Sequence, residues 1–251
     1  MVKREKIVKF LNKYLEIDLI KDRSMNGLQV EGKDNIEKIA LGVSANEQLF
    51  IKAVDAKADM LIVHHGMFWG ESFPIKGFAR ERLWTLLKSN MNLLAYHLPL
   101  DKHPVVGNNA QLIKLFDVKH SEPFANYKGT TIGYKAELKK PLKIEHIIAL
   151  LKKHLGSQPI SHSFGKKNIS KIGVVSGGAA DMMYQGIDED LDLFITGETS
   201  EFVQELARET KMNFIAAGHY NTETLGVMAL AKLLKDQFDV KTQFIDVPNS
   251  I

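Results

Sequence analysis

The sequence predicts an α/β protein, and three observations point to it. Short apolar runs of strand length alternate with segments of helical periodicity along the whole chain. Polar clusters follow several of those runs directly, which is where open α/β sheets bind ligands. The 251 residues are 45% hydrophobic, and no apolar run approaches the ~20 residues needed to cross a bilayer.

The elements follow in order. Ile7, Phe10, Leu11, Tyr14 and Leu15 give residues 3–17 the spacing of an amphipathic helix. Asn26-Gly27 is a turn signal, and Leu28–Val30 then reads as a short strand. Lys38–Val43 is a strand and Asn46–Ala56 a helix. Met60–Val63 is an apolar strand running straight into His64-His65-Gly66. Glu81–Asn90 is a helix with Leu83, Leu86 and Leu87 inward, and Met91–Tyr96 a buried strand running into His97-Leu98-Pro99-Leu100-Asp101. Asn109–Phe116 is helical. In the second half, Tyr127–Leu138 reads as strand, Lys143–Leu155 as helix and Ile172–Val175 as a strand ending in Ser176-Gly177-Gly178. Ala180–Gly186 follows as helix, then Leu191–Ile195 as a strand ending in Thr196-Gly197-Glu198. Ser200–Glu209 is a helix, Asn213–Ala217 a strand ending in Gly218-His219, Thr222–Phe238 a long helix and Thr242–Val247 a final strand. No internal repeat or low-complexity linker is evident, and His120-Ser121-Glu122-Pro123 suggests a break near residues 118–127.

Composition removes several function classes. The chain has no cysteine, which excludes disulfides, thiolate metal ligands and thiol nucleophiles and fits a reducing compartment. The first 20 residues are too charged for a signal-peptide core, so a cytoplasmic protein is expected. A net charge of +3, spread among acidic residues, does not indicate a nucleic-acid groove. The sequence has no G-x-S-x-G, no Walker A and no G-x-G-x-x-G motif. Phe68-Trp69 and Met182-Met183 read as core or interface rather than cofactor contacts.

Three clusters at strand ends carry chemistry. A lone histidine is more often structural, but His64 and His65 are adjacent on an extended segment and so point opposite ways. His97 reads alone as a core hydrogen-bonding residue and Asp101 as a cap or turn residue. Their strand, however, follows the His64-His65 strand, and parallel neighbours would share one sheet edge. His219 and Glu223 are spaced i, i+4 and share a face if their helix begins early enough; otherwise Asn221 or Thr222 caps it. Three histidines and two carboxylates form a nitrogen and oxygen donor set suited to Zn, Fe, Mn or Co. Five ligands exceed what one catalytic metal uses, and with a bridging carboxylate they divide between two ions ~3.5–4 Å apart. His97 and Glu198 are the candidates for proton transfer, with Glu201 beside Glu198 as a further acidic residue. The Ser176-Gly177-Gly178 turn offers backbone amides that could cradle an anion.

The motifs Asn26-Gly27-Leu28-Gln29-Val30, His64-His65-Gly66-Met67-Phe68-Trp69, His97-Leu98-Pro99-Leu100-Asp101, Ser176-Gly177-Gly178, Thr196-Gly197-Glu198 and Gly218-His219-Tyr220-Asn221-Thr222-Glu223 occur in the order of one family. Over nearly its whole length the chain resembles the NGG-one-interacting-factor-like proteins, also described as GTP cyclohydrolase 1 type 2 homologues. It is too short for the large inserted domain of some members and looks like the compact form. The resemblance implies two interlinked α/β domains with central mixed sheets flanked by helices. These are expected at residues 1–125 with 218–251, and at 126–217. It also implies a dinuclear divalent-metal centre on His64, His65, Asp101, His219 and Glu223, and a toroidal homohexamer. The expected function is a metal-dependent hydrolase acting on a small molecule. The alternative is a non-enzymatic metal-binding adaptor or metallochaperone.

Overall fold

The structure, a computed structural model, describes residues 1–251. It is a mixed α/β protein with two mixed sheets packed with helices. The chain divides into two compact units, each discontinuous in sequence: Met1–Leu100 with Val227–Val247, and Asp101–Gly226 with Pro248–Ile251.

The first unit holds a five-stranded sheet in the order Lys241–Phe244, Lys38–Ser44, Met60–His65, Asn92–Ala95 and Gly27–Val30. The first four strands are parallel and the last antiparallel. Parallel strands covered on both faces need continuous rather than alternating apolar sequence, which is what Met60–Val63 supplies. Leu61, Ile62 and Val63 are at most 1% exposed, and each contributes on the order of 1.5–3 kcal/mol by burial. That anchoring fixes where the following histidines emerge. Asn46 caps the helix Glu47–Asp55 by accepting the Leu49 amide at 2.8 Å. This helix packs Leu49, Phe50 and Ala53 onto the sheet, and the helix Phe78–Ser89 adds Leu86. The helix Arg4–Tyr14 buries Ile7 and Leu11.

The second unit holds a six-stranded sheet in the order Val118–Tyr127, Thr130–Lys143, Asn168–Val175, Leu193–Thr196, Asn213–Ala216 and Ile160–His162. Its three central parallel strands are flanked by antiparallel ones. The helix Ile144–Leu155 packs Ile147, Leu151 and Leu155 against Ile172, Val174, Leu193, Ile195 and Ile215. The segment read as a break near 118–127 is itself a strand. Its polar residues and Pro123 suit an edge position, which exposes them and leaves the missing proline N–H without cost. The final helix begins at His219, not Thr222, and runs to Gln237.

No repeat is evident in the sequence, yet both units build the same device at the amino ends of their parallel strands. Asp59 accepts Lys33 Nζ at 2.7 Å and the amides of Glu37 and Lys38 at 3.0 and 3.1 Å. Asn92 accepts the Gly32 amide at 2.8 Å and donates to the carbonyls of Lys33 and Asp59. In the second unit, Asp192 accepts Lys166 Nζ at 2.7 Å and the amides of Ser170 and Lys171 at 2.8 and 3.0 Å. Asn213 accepts the Gly165 amide at 3.0 Å and donates to the carbonyls of Lys166 and Asp192. Residues 32, 33, 38 and 59 match residues 165, 166, 171 and 192 at one constant offset. Both glycines are needed, since a Cβ would stand 2.5 Å from Asn90 O in one unit and 2.3 Å from Lys211 O in the other. No helix of the chain is long and apolar enough to cross a membrane.

Candidate functional site

In the first unit the candidate side chains gather at the carboxyl ends of the parallel strands. His64 is fully buried, and its Nδ1 lies 2.9 Å from the carbonyl oxygen of Tyr96. A carbonyl only accepts, so Nδ1 carries the proton and the neutral ring has its lone pair on Nε2. His65 Nδ1 is 3.0 Å from Ser44 Oγ on the neighbouring strand. His97 Nδ1 meets the Asp22 carboxylate at 3.0 and 3.1 Å. The three imidazoles cluster, with ring centroids 4.6 to 5.6 Å apart and ligand atoms all within 4.8 Å of one another.

The loops behind this cluster explain the Asn26-Gly27-Leu28-Gln29 motif. Asn26 Oδ1 accepts the His97 amide at 2.8 Å, and Gln29 Oε1 accepts the Met67 amide at 2.8 Å. Gly66 has no room for a side chain, since a Cβ would lie 2.4 Å from Gln29 Nε2. Trp69, read from the sequence as core or interface rather than a cofactor contact, is half-buried beside the histidines. Its indole donates to the Gly66 carbonyl at 2.9 Å and stands edge-on to His97 at 5.0 Å, so it walls the histidine cluster. Asp22 is absent from the sequence-based set. It lies 75 residues before His97 and accepts the Ser24 amide two residues on, so locally it reads only as an Asx turn. Burial raises the Asp22 carboxyl, but hydrogen bonds from His97, Asn26 and the Ser24 amide outweigh it and bring its pKa down to about 2.

In the second unit, the early start of the final helix puts His219 and Glu223 on one face, with His219 Nε2 3.0 Å from Glu223 Oε1. Glu198 contacts the other ring nitrogen, Nδ1. Burial opposes a charge on His219, but the Glu223 and then the Glu198 carboxylates prevail and push its pKa up to about 9. Glu223 is 2% exposed. Thr222 does not cap the helix; its hydroxyl bonds back to the Gly218 and His219 carbonyls. Asp101, 6% exposed, accepts Asn108 Nδ2 at 2.9 Å and Ser176 Oγ at 3.0 Å through Oδ1.

Backbone amides in and beside the Ser176-Gly177-Gly178 turn find acceptors within the protein. The Ser176 amide donates to Asn109 Oδ1 at 2.6 Å, the Gly177 amide to Thr222 Oγ1 at 3.0 Å and the Ala179 amide to Thr196 Oγ1 at 3.2 Å. Its glycine is needed for another reason. Gly177 has φ +70°, and a Cβ there would stand 2.5 Å from Glu223 Oε1. Glu201 opens the helix Glu201–Thr210 and is exposed.

Buried imidazole and carboxylate groups of this kind are a borderline-to-hard donor set that fits a divalent metal ion. Fold and residues together thus define a two-unit α/β protein with groups suited to holding metal. The Duf34/NIF3 (NGG1p interacting factor 3) family matches residues 2–250, and the chain belongs to that family. It is 47% identical to the GTP cyclohydrolase 1 type 2 homolog of Pyrococcus abyssi over 251 residues, covering 100% of both chains. It is 38% identical to that of Archaeoglobus fulgidus, covering 98% of each. A crystal structure of a protein from Thermus thermophilus superposes with a TM-score of 0.91 at 37% identity, covering 100% of both chains.

Proposed function

We propose that this chain binds two divalent metal ions through His64, His65, Asp101, His219 and Glu223. On this reading it acts in the cytoplasm as a metal-dependent hydrolase of the GTP cyclohydrolase 1 type 2 homolog type. The observation that carries the reading is the set of three imidazoles at the ends of two adjacent parallel strands, each held through Nδ1 by a neighbouring oxygen. Metal-ligating histidines are oriented in this way. Bound ions would supply Lewis acidity and a water of lowered pKa. His64 and His65 bind and orient. His219 must give up a proton to become a ligand, and Glu198 keeps its ring in place. Because Glu198 is engaged with His219, His97 is the better candidate to hold and move a proton during the reaction.

The test is elemental analysis of freshly purified, metal-supplemented protein, with about two ions per chain expected for a bridged pair. A value near zero would sink the reading. Glu223→Gln should lose both ions if Glu223 bridges; loss of one reassigns the bridge. Turnover of cyclic amides or phosphate esters by the loaded protein separates a hydrolase from a metal-binding adaptor. A homohexameric ring is part of the proposal, supported by the family membership, and a monomer mass in light scattering at micromolar concentration refutes it.

A further inference from the structure

The segment that precedes the strand Gly27–Val30 does more than connect. Asp22 has a side chain only 3% exposed, and both its oxygens are used. Oδ1 accepts the Ser24 amide at 3.0 Å, and Oδ2 accepts the Leu98 amide at 2.9 Å and Asn26 Nδ2 at 3.1 Å. His97 Nδ1 sits across both oxygens, at 3.0 and 3.1 Å. The backbone of the same histidine is fixed by Asn26, whose Oδ1 accepts its amide. Ring and backbone of His97 are therefore clamped from one five-residue stretch, Asp22 to Asn26. An ionised carboxylate with no proton of its own can only accept, so the bond requires a proton on Nδ1. Free imidazole can place its single proton on either nitrogen, and here the choice is made by Asp22.

We propose that Asp22 is a positioning residue that fixes the Nδ1–H tautomer of His97, so that Nε2 is the nitrogen His97 contributes to the cluster with His64 and His65. The ligand atoms of these three residues already lie within 4.8 Å of one another. Asp22 reaches the cluster through His97, whose ring it holds at Nδ1. Without it, His97 could turn its protonated nitrogen toward the cluster, where an N–H neither binds a cation nor accepts a proton. The chemical consequence rests on the metal-binding reading above; the tautomer itself does not.

The experiment uses full-length, metal-free protein labelled with ¹⁵N-histidine, at a pH of about 8.5, above the ordinary histidine range. Two-bond ¹H–¹⁵N correlation spectra report which ring nitrogen carries the proton, and loss of one signal set in His97→Gln assigns His97. The expected wild-type spectrum shows Nδ1 protonated and Nε2 bare. In Asp22→Ala the pattern should move to Nε2–H or to an exchanging mixture, and Asp22→Glu should restore part of the Nδ1–H form. A His97 protonated on Nε2 in the wild type, or a tautomer unchanged in Asp22→Ala, overturns the proposal. If Asp22→Ala does not fold, the wild-type spectrum still decides the direction of the bond. Titration of both folded proteins with Co(II) separates this inference from the functional reading. The expected loss on Asp22→Ala is about 10–100-fold in affinity, the usual cost of removing an outer partner that orients a histidine at a metal site. A wild type that binds no Co(II) refutes the metal reading while leaving the tautomer result standing.

Discussion

The two units agree at one end of their sheets and differ at the other. At the amino ends, Asp59 and Asp192 make the same three hydrogen bonds, and Asn92 and Asn213 the same further three. At the carboxyl ends, the offset that equates Asp59 with Asp192 equates Ser44 with Gly177 and His65 with Glu198. The first unit there presents three imidazoles, and the second presents glycine turns, carboxylates and the single imidazole of His219. The amino-end device solves a folding problem common to both units, because loop amides must find acceptors where strands begin. The carboxyl ends are free of that demand and carry the nitrogen and oxygen donors that suit a divalent ion.

The comparison breaks first if the two aspartates are not equivalent. Asp59→Ala and Asp192→Ala each strand two backbone amides without their acceptor, so each should cost at least about 2 kcal/mol. The lysine partners matter less, since Lys166 is 67% exposed and its ion pair is screened. Urea unfolding measures both variants, and a large loss in one with none in the other would show that the resemblance is geometric only.

A smaller effect is expected at the carboxyl end of the second unit. Gly177→Ala places a Cβ against Glu223 Oε1 at positive φ, where L-residues pay roughly 1–2 kcal/mol. Melting temperature should fall and divalent-ion affinity with it. The first unit has serine at the matching place, so Ser44→Ala should leave the backbone undisturbed and loosen only His65. Equal losses in the two variants would remove the asymmetry.

The units should also titrate in opposite directions. The folded pKa of His219 is raised to about 9, so in metal-free protein its contribution is complete below about 6.5 and is lost as pH rises through 9. Asp22 is lowered to about 2, so its contribution is present above about 3.9 and is lost as pH falls through 2. Because a metal must displace the His219 proton, affinity should climb with pH up to about 9. A Zn(II) affinity flat between pH 6 and 9 would contradict this.

The smallest structural change should come from Asp101→Asn. Its amide oxygen can still accept from Asn108 and Ser176, and little volume changes. The melting temperature should stay within a few degrees of the wild type while ion affinity drops.

The α/β class, most strands and helices, and the clusters at strand ends are legible in the amino-acid order. These are local properties: an apolar run such as Met60–Val63, a helical stripe, or two adjacent histidines is written in neighbouring residues. Which side chain completes each cluster depends on contacts made only in the folded chain. Asp22 reaches His97 across 75 residues, Asn109 reaches Ser176 across 67 and Asn108 reaches Gly226 across 118. The shared amino-end device was hidden for the same reason, since its residues are few and widely spaced and make no motif until the strands align. Hydrogen bonds of that span depend on strand order, and strand order is set by packing the whole sheet rather than by any segment within it.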